Sequence, residues 1–225
     1  MSRPTTVRQL TIRTLNQDEL ADAVATCALA MRDNPLHIKV FGRAEQKRHR
    51  RLRRFFPGML AYVERKGWLY GAFIEQRLVG VFGVIAPGHC TPSLTDSIRL
   101  VPYMVSSNGV VGLLRLGIWL GSWAKLNPRT PHWHLGPLAV DPAWQGQGIG
   151  RQLLEYVIEQ AHKAEPSVPL YLETDKEENV RYYTKFGFYT VGTPMILGTQ
   201  SWLMLRQKGA ICGATTAANT DDVFK

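Results

Sequence analysis

The sequence predicts a mixed α/β domain, and three observations lead there. Segments patterned like strands alternate with segments of helical periodicity. No linker-like stretch or break in composition divides them, so the 225 residues read as one domain. One strand also runs into a glycine-rich turn that opens an amphipathic helix, Val140-Asp141-Pro142-Ala143-Trp144-Gln145-Gly146-Gln147-Gly148-Ile149-Gly150-Arg151. With 45% hydrophobic and 20% charged residues, the chain can bury a core without disulfide or metal staples.

The elements follow in order. Val7–Thr14 carries β-branched residues in partial alternation and predicts the first strand. Asn16-Gln17-Asp18-Glu19 resembles a capping box, and Leu20, Val24, Cys27 and Met31 follow at helical spacing. Asn34-Pro35 ends that helix. A second helix is expected over Glu45–Arg65, then a hairpin of Trp68–Glu75 and Leu78–Ala86, closed by Pro87-Gly88. A Ser-, Thr- and Pro-rich loop leads to an apolar helical region between Leu113 and Leu126. His132–Val140 is a strand, and Asp141-Pro142 turns the chain. The helix starting near Gly148 places Ile149, Leu153, Leu154, Val157, Ile158 and Ala161 on one stripe. Leu170–Thr174 is a strand and Glu177–Phe186 a short helix stopped by Gly187. Phe188–Gly192 and Ser201–Arg206 are the final strands. The domain is expected over residues 1–208, with 209–225 as a flexible tail.

Composition narrows the function classes. Lys and Arg exceed Asp and Glu by 27 to 18, a formal charge of +9 that favours anionic partners. The three cysteines, Cys27, Cys90 and Cys212, are odd in number and lack CxxC spacing. Neither a disulfide framework nor a Cys-rich zinc site is expected. No apolar run reaches the roughly 20 residues of a membrane span, and the first residues lack a signal-like apolar core. The expected location is the cytoplasm.

The glycine-rich turn carries the sharpest chemistry. A helix N-terminus has unpaired N–H groups and the positive end of the macrodipole. Glycines let an anion approach those amides because no Cβ intervenes. Charge-assisted bonds of about 1.5–3 kcal/mol each suffice, in small number, to hold a pyrophosphate. The dinucleotide fingerprint would need glycine at position 151, where Arg151 stands, and the P-loop's Gly-Lys-Ser/Thr is absent. Glycine spacing alone also suits a turn that merely packs a helix on a strand.

Gln145-x-x-Gly148-x-Gly150 after a strand resembles the acetyl-CoA-binding motif of the GNAT N-acetyltransferases. Asn179-Val180-Arg181-Tyr182-Tyr183-Thr184-Lys185-Phe186-Gly187-Phe188 is similar to the same family's downstream segment. The resemblance covers about Trp68 to Arg206, and Leu172-Glu173-Thr174-Asp175 looks closest to the puromycin-acetyltransferase-like branch. It implies a GNAT fold: a splayed, mostly antiparallel sheet of six or seven strands flanked by helices, with a cofactor-binding core over about 68–206. It implies acetyl-CoA as co-substrate, held at the pyrophosphate by Gln145, Gly146, Gln147, Gly148, Ile149, Gly150 and Arg151. By the same resemblance, Leu138, Ala139 and Val140 would bind the pantetheine arm, Asn179 would touch the cofactor and Tyr183 would lie near its sulfur.

Acetyl transfer to an amine needs a neutral amine, a polarised carbonyl and a protonated leaving sulfur. Tyr183 is the candidate acid, since a phenol near pKa 10 keeps its proton at neutral pH; it also suits a packing aromatic. Two bases compete. His134 lies in the strand before the turn, and period-two alternation would put it on one face with Gly136, Leu138 and Val140. Glu173 ends a strand where a carboxylate can face the cleft. Either is also an ordinary hydrogen-bonded strand residue. Backbone amides near Leu138 would stabilise the oxyanion. No metal is expected, because His132-Trp133-His134 has no third ligand at recognisable spacing.

The reading is thus an acetyl-CoA-dependent N-acetyltransferase acting on a primary amine by direct attack in a ternary complex. A small-molecule acceptor is favoured and a peptide amine stays open, with the enzyme a monomer or homodimer. A non-catalytic acyl-CoA sensor is the alternative. Arg43, Lys47, Arg48, Arg50, Arg51, Arg53 and Arg54 form a basic run that could grip nucleic acid, but no nucleic-acid fold motif accompanies it. A solvated helix face is the expected reading.

Overall fold

A computed structural model describes residues 9–207. The elements in chain order are β1 (Leu10–Thr14), α1 (Leu20–Ala30), α2 (Pro35–Phe41), α3 (Glu45–Lys66), β2 (Gly67–Ile74) and β3 (Arg77–Ile85). Then come α4 (Leu94–Ser107), α5 (Val110–Leu126), β4 (Trp133–Val140), α6 (Ile149–Ala164), β5 (Leu170–Thr174) and α7 (Glu177–Thr184). β6 (Tyr189–Gly192), β7 (Met195–Ile196), β8 (Thr199–Gln200) and β9 (Trp202–Arg206) complete the described residues. Seven strands form one sheet in the order β1-β2-β3-β4-β5-β9-β6, and β7 with β8 makes a separate ribbon. β4 and β5 pair in parallel, and every other pairing is antiparallel.

Two cores cover the two faces of this sheet. Ala23, Cys27, Leu36, Phe41, Phe56, Val63, Leu116 and Trp119 bring α1, α2, α3 and α5 together against Leu69, Phe73 and Val81. On the other face the predicted stripe of α6, from Ile149 to Ala161, packs on Tyr70, Phe82, Trp133, Leu135 and Leu172. The α7 side chains Val180, Tyr182 and Tyr183 join that second core. Every residue of the α6 stripe is buried, as a 3.6-residue period on a sheet requires.

The differences from expectation have local causes. Pro35 does not merely stop α1. It occupies the first turn of a separate helix, α2, where its missing N–H costs nothing. The expected Ser/Thr/Pro loop contains α4, started by Ser93, whose hydroxyl accepts the Asp96 amide while the Asp96 carboxylate accepts the Ser93 amide. β7 and β8 had no strand signal. The expected tail at 209–225 lies outside the described residues.

The basic run is not one solvated face. Arg48 is buried, 4% exposed, and donates to the Arg32, Gly42 and Arg43 carbonyls and to Asp33. Arg51 and Arg54 donate to the Phe41 and Ser106 carbonyls. These three recur at helical spacing and staple α3 to its neighbours. Arg54 is nonetheless exposed, as are Arg43, Lys47, Arg50 and Arg53, so the expectation holds for those five.

Candidate active site

The turn after β4 is shaped by its own side chains. Asp141 accepts the Ala143 amide at 3.0 Å and an Arg77 guanidinium N–H at 3.2 Å. Pro142–Trp144 makes one 3-10 turn, and the Gln145 side-chain amide donates back to the Val140 carbonyl at 3.0 Å. Gly146 and Gly148 then take φ of 77° and 80°, a region costly to residues bearing a Cβ. A Cβ built on either meets no atom within 4 Å, so these glycines answer to backbone conformation and leave open space beside it. Gly148 itself is the N-cap of α6, and no side chain caps that end. The first-turn amides therefore present the positive end of a 16-residue helix to the open side.

Beside this turn the sheet opens. β4 and β5 pair only at Trp133↔Leu170 and His134↔Tyr171. Beyond that point β4 stays on β3 up to Val140, while β5 stays on β9 up to Thr174. The two strands thus part at His134. Between the pairs Val84↔Leu135 and Phe82↔Leu138, two residues of β4, Gly136 and Pro137, oppose one of β3, Gly83, and the extra residue reverses the alternation. Leu135, Leu138 and Val140 consequently all pack toward the α6 core. This corrects the expected shared face: His134 points away from Leu138 and Val140, toward Tyr171. Gly83 permits the bulge, since a Cβ there would lie 2.8 Å from the Gly136 carbonyl oxygen and 2.9 Å from the Pro137 ring.

At the parting point the two rival bases are partners. His134 Nε2 lies 3.0 Å from Glu173 Oε2, with the Glu173 side chain 3% exposed. Tyr171 stands edge-on to His134 and His132, at 5.5 and 5.2 Å between ring centres. The Cys90 thiol, from the loop after β3, lies 3.3 Å from His132 Nε2. Burial works to lower the His134 pKa, but the Glu173 charge and hydrogen bond and the nearby Cys90 sulfur outweigh it and raise the group above its ordinary range. Burial works to raise the Cys90 thiol, but hydrogen bonds to His132 and His134 outweigh it and lower the group. A recess of about 330 Å³, lined by Cys90, Thr91, Asn127, Thr130 and His132 among others, opens beside this cluster. A larger recess of about 590 Å³, along α6 at Glu159, Lys163, Lys185 and Arg206, holds none of the expected catalytic residues.

Residues 33–188 match the model of the acetyltransferase (GNAT) family, most of the described chain. The chain belongs to the GNAT family. Among curated relatives, the N-alpha-acetyltransferase RimI of Mycobacterium tuberculosis is 32% identical over 107 residues, 45% of this chain and 60% of that protein. The mycothiol acetyltransferase of Jonesia denitrificans is 32% identical over 94 residues, 41% of this chain and 27% of that one. The chain thus aligns with less than two thirds of either relative. A solved structure from Corynebacterium glutamicum, described as histone acetyltransferase HPA2 and related acetyltransferase, matches 93% of this chain and 99% of its own at a TM-score of 0.68 and 20% identity. A Brucella melitensis GNAT acetyltransferase in complex with acetyl-CoA matches at a TM-score of 0.50 and 15% identity, covering 90% of each chain. At these identities the solved structures establish the fold, and the seven-stranded, mostly antiparallel sheet with its parting at β4 and β5 is that of a GNAT protein.

The remaining GNAT-motif residues fall as follows. The Asn179 side-chain amide donates to Thr174 Oγ1 at 3.0 Å, which ties α7 to the end of β5. Tyr183 is half-buried, with Phe188 edge-on at 5.8 Å, and burial raises its phenol above the usual range. Tyr182 instead turns toward the first turn of α6: its hydroxyl would lie 3.6 Å from a Cβ on Gly150. Arg151 points outward and pairs with Glu155 at 2.8 Å. Cys90, Asn127 and Tyr171 were absent from the sequence reading of the site. Cys90 and His132 are separated by 42 residues, and neither periodicity nor motif spacing links them.

Proposed function

We propose that this GNAT protein is an acetyl-CoA-dependent N-acetyltransferase that moves the acetyl group to a primary amine, by direct attack within a ternary complex. The observation that carries the reading is the uncapped, glycine-flanked start of α6 beside the parting of β4 from β5. Gly146 to Arg151 fit a diphosphate: their backbone leaves a cradle that a Cβ would begin to fill. The edge of β4 over Leu138, Ala139 and Val140 borders the gap and suits the pantetheine arm as a pseudo-strand. Gln145 contributes by holding the turn, through its bond to Val140.

The chain's own groups supply the proton chemistry. Glu173, a carboxylate that only accepts, holds one His134 proton on Nε2, and Nδ1 is the proton acceptor in the neutral form, which the raised pKa makes scarce at neutral pH, so turnover should climb as pH rises. When His134 takes the amine's proton, the same carboxylate stabilises the imidazolium. Tyr183 returns a proton to the leaving sulfur, a task for which a raised phenol pKa keeps it loaded at neutral pH. A small acceptor is favoured by a recess of about 330 Å³ that reaches His132, two residues from His134, although neither His134, Glu173 nor Tyr183 lines it. The names of two relatives point both ways, one to protein N-termini and one to mycothiol.

Calorimetry with acetyl-CoA, followed by thiol release across a panel of amines, tests the proposal. Binding with acetyl transfer to a small amine supports it in full. Transfer confined to peptide N-termini replaces the acceptor class, and binding without transfer to any amine favours a sensor. Absence of binding sinks the reading.

A further inference from the structure

Two histidines and a cysteine converge at the mouth of the site in an arrangement that the acetyl-transfer reading does not use. Donor atoms of Cys90, His132 and His134 all lie within 4.8 Å of one another. Each histidine has its outer nitrogen anchored on an acceptor. His132 Nδ1 lies 2.8 Å from the Thr130 carbonyl, and His134 Nε2 lies 3.0 Å from the Glu173 carboxylate. A carbonyl and a carboxylate accept only, so the tautomer with protons on those nitrogens leaves lone pairs on His132 Nε2 and His134 Nδ1; it requires Asn127 to turn its NH2 toward His132 Nε2 and His134 to give up its second proton. Anchoring a histidine's outer N–H on a carbonyl or carboxylate is the usual outer-shell support of a metal-binding imidazole. His134 Nδ1 is buried with no hydrogen-bond partner. His132 Nε2 faces both the Cys90 sulfur at 3.3 Å and the Asn127 amide oxygen at 3.1 Å.

The 3.3 Å between Cys90 and His132 suits a tetrahedral ion, and with all three donors inside 4.8 Å His134 has at most about 1.5 Å to close. With a zinc–sulfur distance of about 2.3 Å and a zinc–nitrogen distance of about 2.05 Å, the ligand atoms stand roughly 3.3–3.6 Å apart. One thiolate with two imidazoles is a zinc-type donor set, and the softness of sulfur disfavours magnesium or calcium. The recess at Cys90, Asn127 and His132 leaves the fourth position to Asn127 or water.

We propose that Cys90, His132 and His134 form a Zn²⁺ site, positioned by Thr130 and Glu173, and that its occupation withdraws His134 from acetyl transfer. Binding displaces to solvent the one proton that Cys90 and His134 share between thiolate–imidazolium and thiol–imidazole forms, so one thiolate and two neutral imidazoles hold a dication. The metal and the incoming amine's proton compete for the same His134 Nδ1 lone pair, so the regulatory half of the inference rests on His134 being the base. The metal site itself does not.

Titration with Co²⁺ as the spectroscopic stand-in tests the site first. One equivalent should bring tetrahedral d–d bands and a thiolate-to-cobalt charge-transfer band, both erased by one equivalent of Zn²⁺. Cys90→Ser should remove the charge-transfer band. His132→Gln should lower Zn²⁺ affinity at least tenfold, and Glu173→Gln should lower it about 10–100-fold. Acetyl-CoA calorimetry on the same preparations reports whether each variant is folded. Failure to take up Co²⁺ or Zn²⁺ at micromolar concentration by protein that binds acetyl-CoA overturns the site and leaves the transferase reading standing. Undiminished uptake by folded Cys90→Ser and His132→Gln overturns it as well. If the site is confirmed, Zn²⁺ should suppress amine acetylation in the parent and spare it in Cys90→Ser; equal suppression in both refutes the competition.

Discussion

Single side chains carry the two sharpest tests of the chemistry and of the scaffold. Tyr183 is the proposed acid, and its phenol stays protonated because burial raises its pKa. Tyr183→Phe removes the proton and little volume, so kcat should fall about 100-fold, the lower part of the range for a lost general acid. The acetyl-CoA dissociation constant should hold within a factor of about two in calorimetry, because the diphosphate cradle lies on other residues. An unchanged kcat in a chemistry-limited assay would reduce Tyr183 to a packing aromatic. Arg48 is the counterpart for stability, since its buried guanidinium satisfies three carbonyls and Asp33. Arg48→Ala strands those acceptors and should cost roughly 3 kcal/mol in urea unfolding. Tyr183 could be named as a candidate from sequence because it sits inside a motif. Arg48 could not, because one arginine turned inward looks in sequence like its solvated neighbours.

At the scale of elements, the strand–turn–helix from β4 to α6 was readable because local signals agree: alternation, then glycines, then a continuous apolar stripe. Its glycines make a clean prediction. In Gly148→Ala the new Cβ meets no protein atom, so the folding cost is confined to backbone strain of about 1–2 kcal/mol. The same methyl projects where a diphosphate would lie. Acetyl-CoA affinity should therefore fall tenfold or more while thermal unfolding stays cooperative. The element that escaped notice, α4, shows where pattern reading stops. Its buried residues are Asp96 and Ser107; Leu100 and Met104 pack on the core, but Leu94, Ile98, Val101 and Val105 are exposed, so most of its apolar positions do not mark a core face. What starts it is polar. Asp96 accepts from Ser93 and pairs with Lys66 at 3.1 Å, and the Ser93 hydrogen bond, then Lys66, holds its pKa down at about 2. A depressed folded pKa means that the carboxylate stabilises above the unfolded value near 3.9 and loses that contribution as pH falls toward 2. The melting-temperature gap between the parent and Asp96→Asn should be full at pH 5 and close between pH 4 and 2. A constant gap would show that the charge does no work there. The reversed face of β4 was equally hidden, because a bulge is a relation between two strands and leaves no mark on one.

For the molecule as a whole, the excess of positive charge poses a choice between anionic partners. Long-range attraction is common to acetyl-CoA and to nucleic acid, but among the described residues the start of α6 offers a shaped cradle, the one proposed for acetyl-CoA. The basic run on α3 is split: Arg48, Arg51 and Arg54 are engaged with carbonyls, and Arg43, Lys47, Arg50 and Arg53 remain outward. Lys47, Arg50 and Arg53 on α3, with Arg43 just before it, give a field without a groove. Salt separates the two cases. Raising ionic strength from 0.01 to 0.15 M shortens the screening length from about 30 to about 8 Å. Acetyl-CoA binding should weaken only several-fold over that interval, because its short contacts to helix amides survive screening of the distant charges. Duplex DNA, held by counterion release alone, should lose its affinity steeply and end no tighter than the non-specific range of roughly 10⁻⁴–10⁻⁶ M. Filter binding and calorimetry in the same buffers measure both. Nanomolar DNA retention at 0.15 M salt would make α3 a recognition surface, and the division of its arginines into inward staples and outward bystanders would then be wrong.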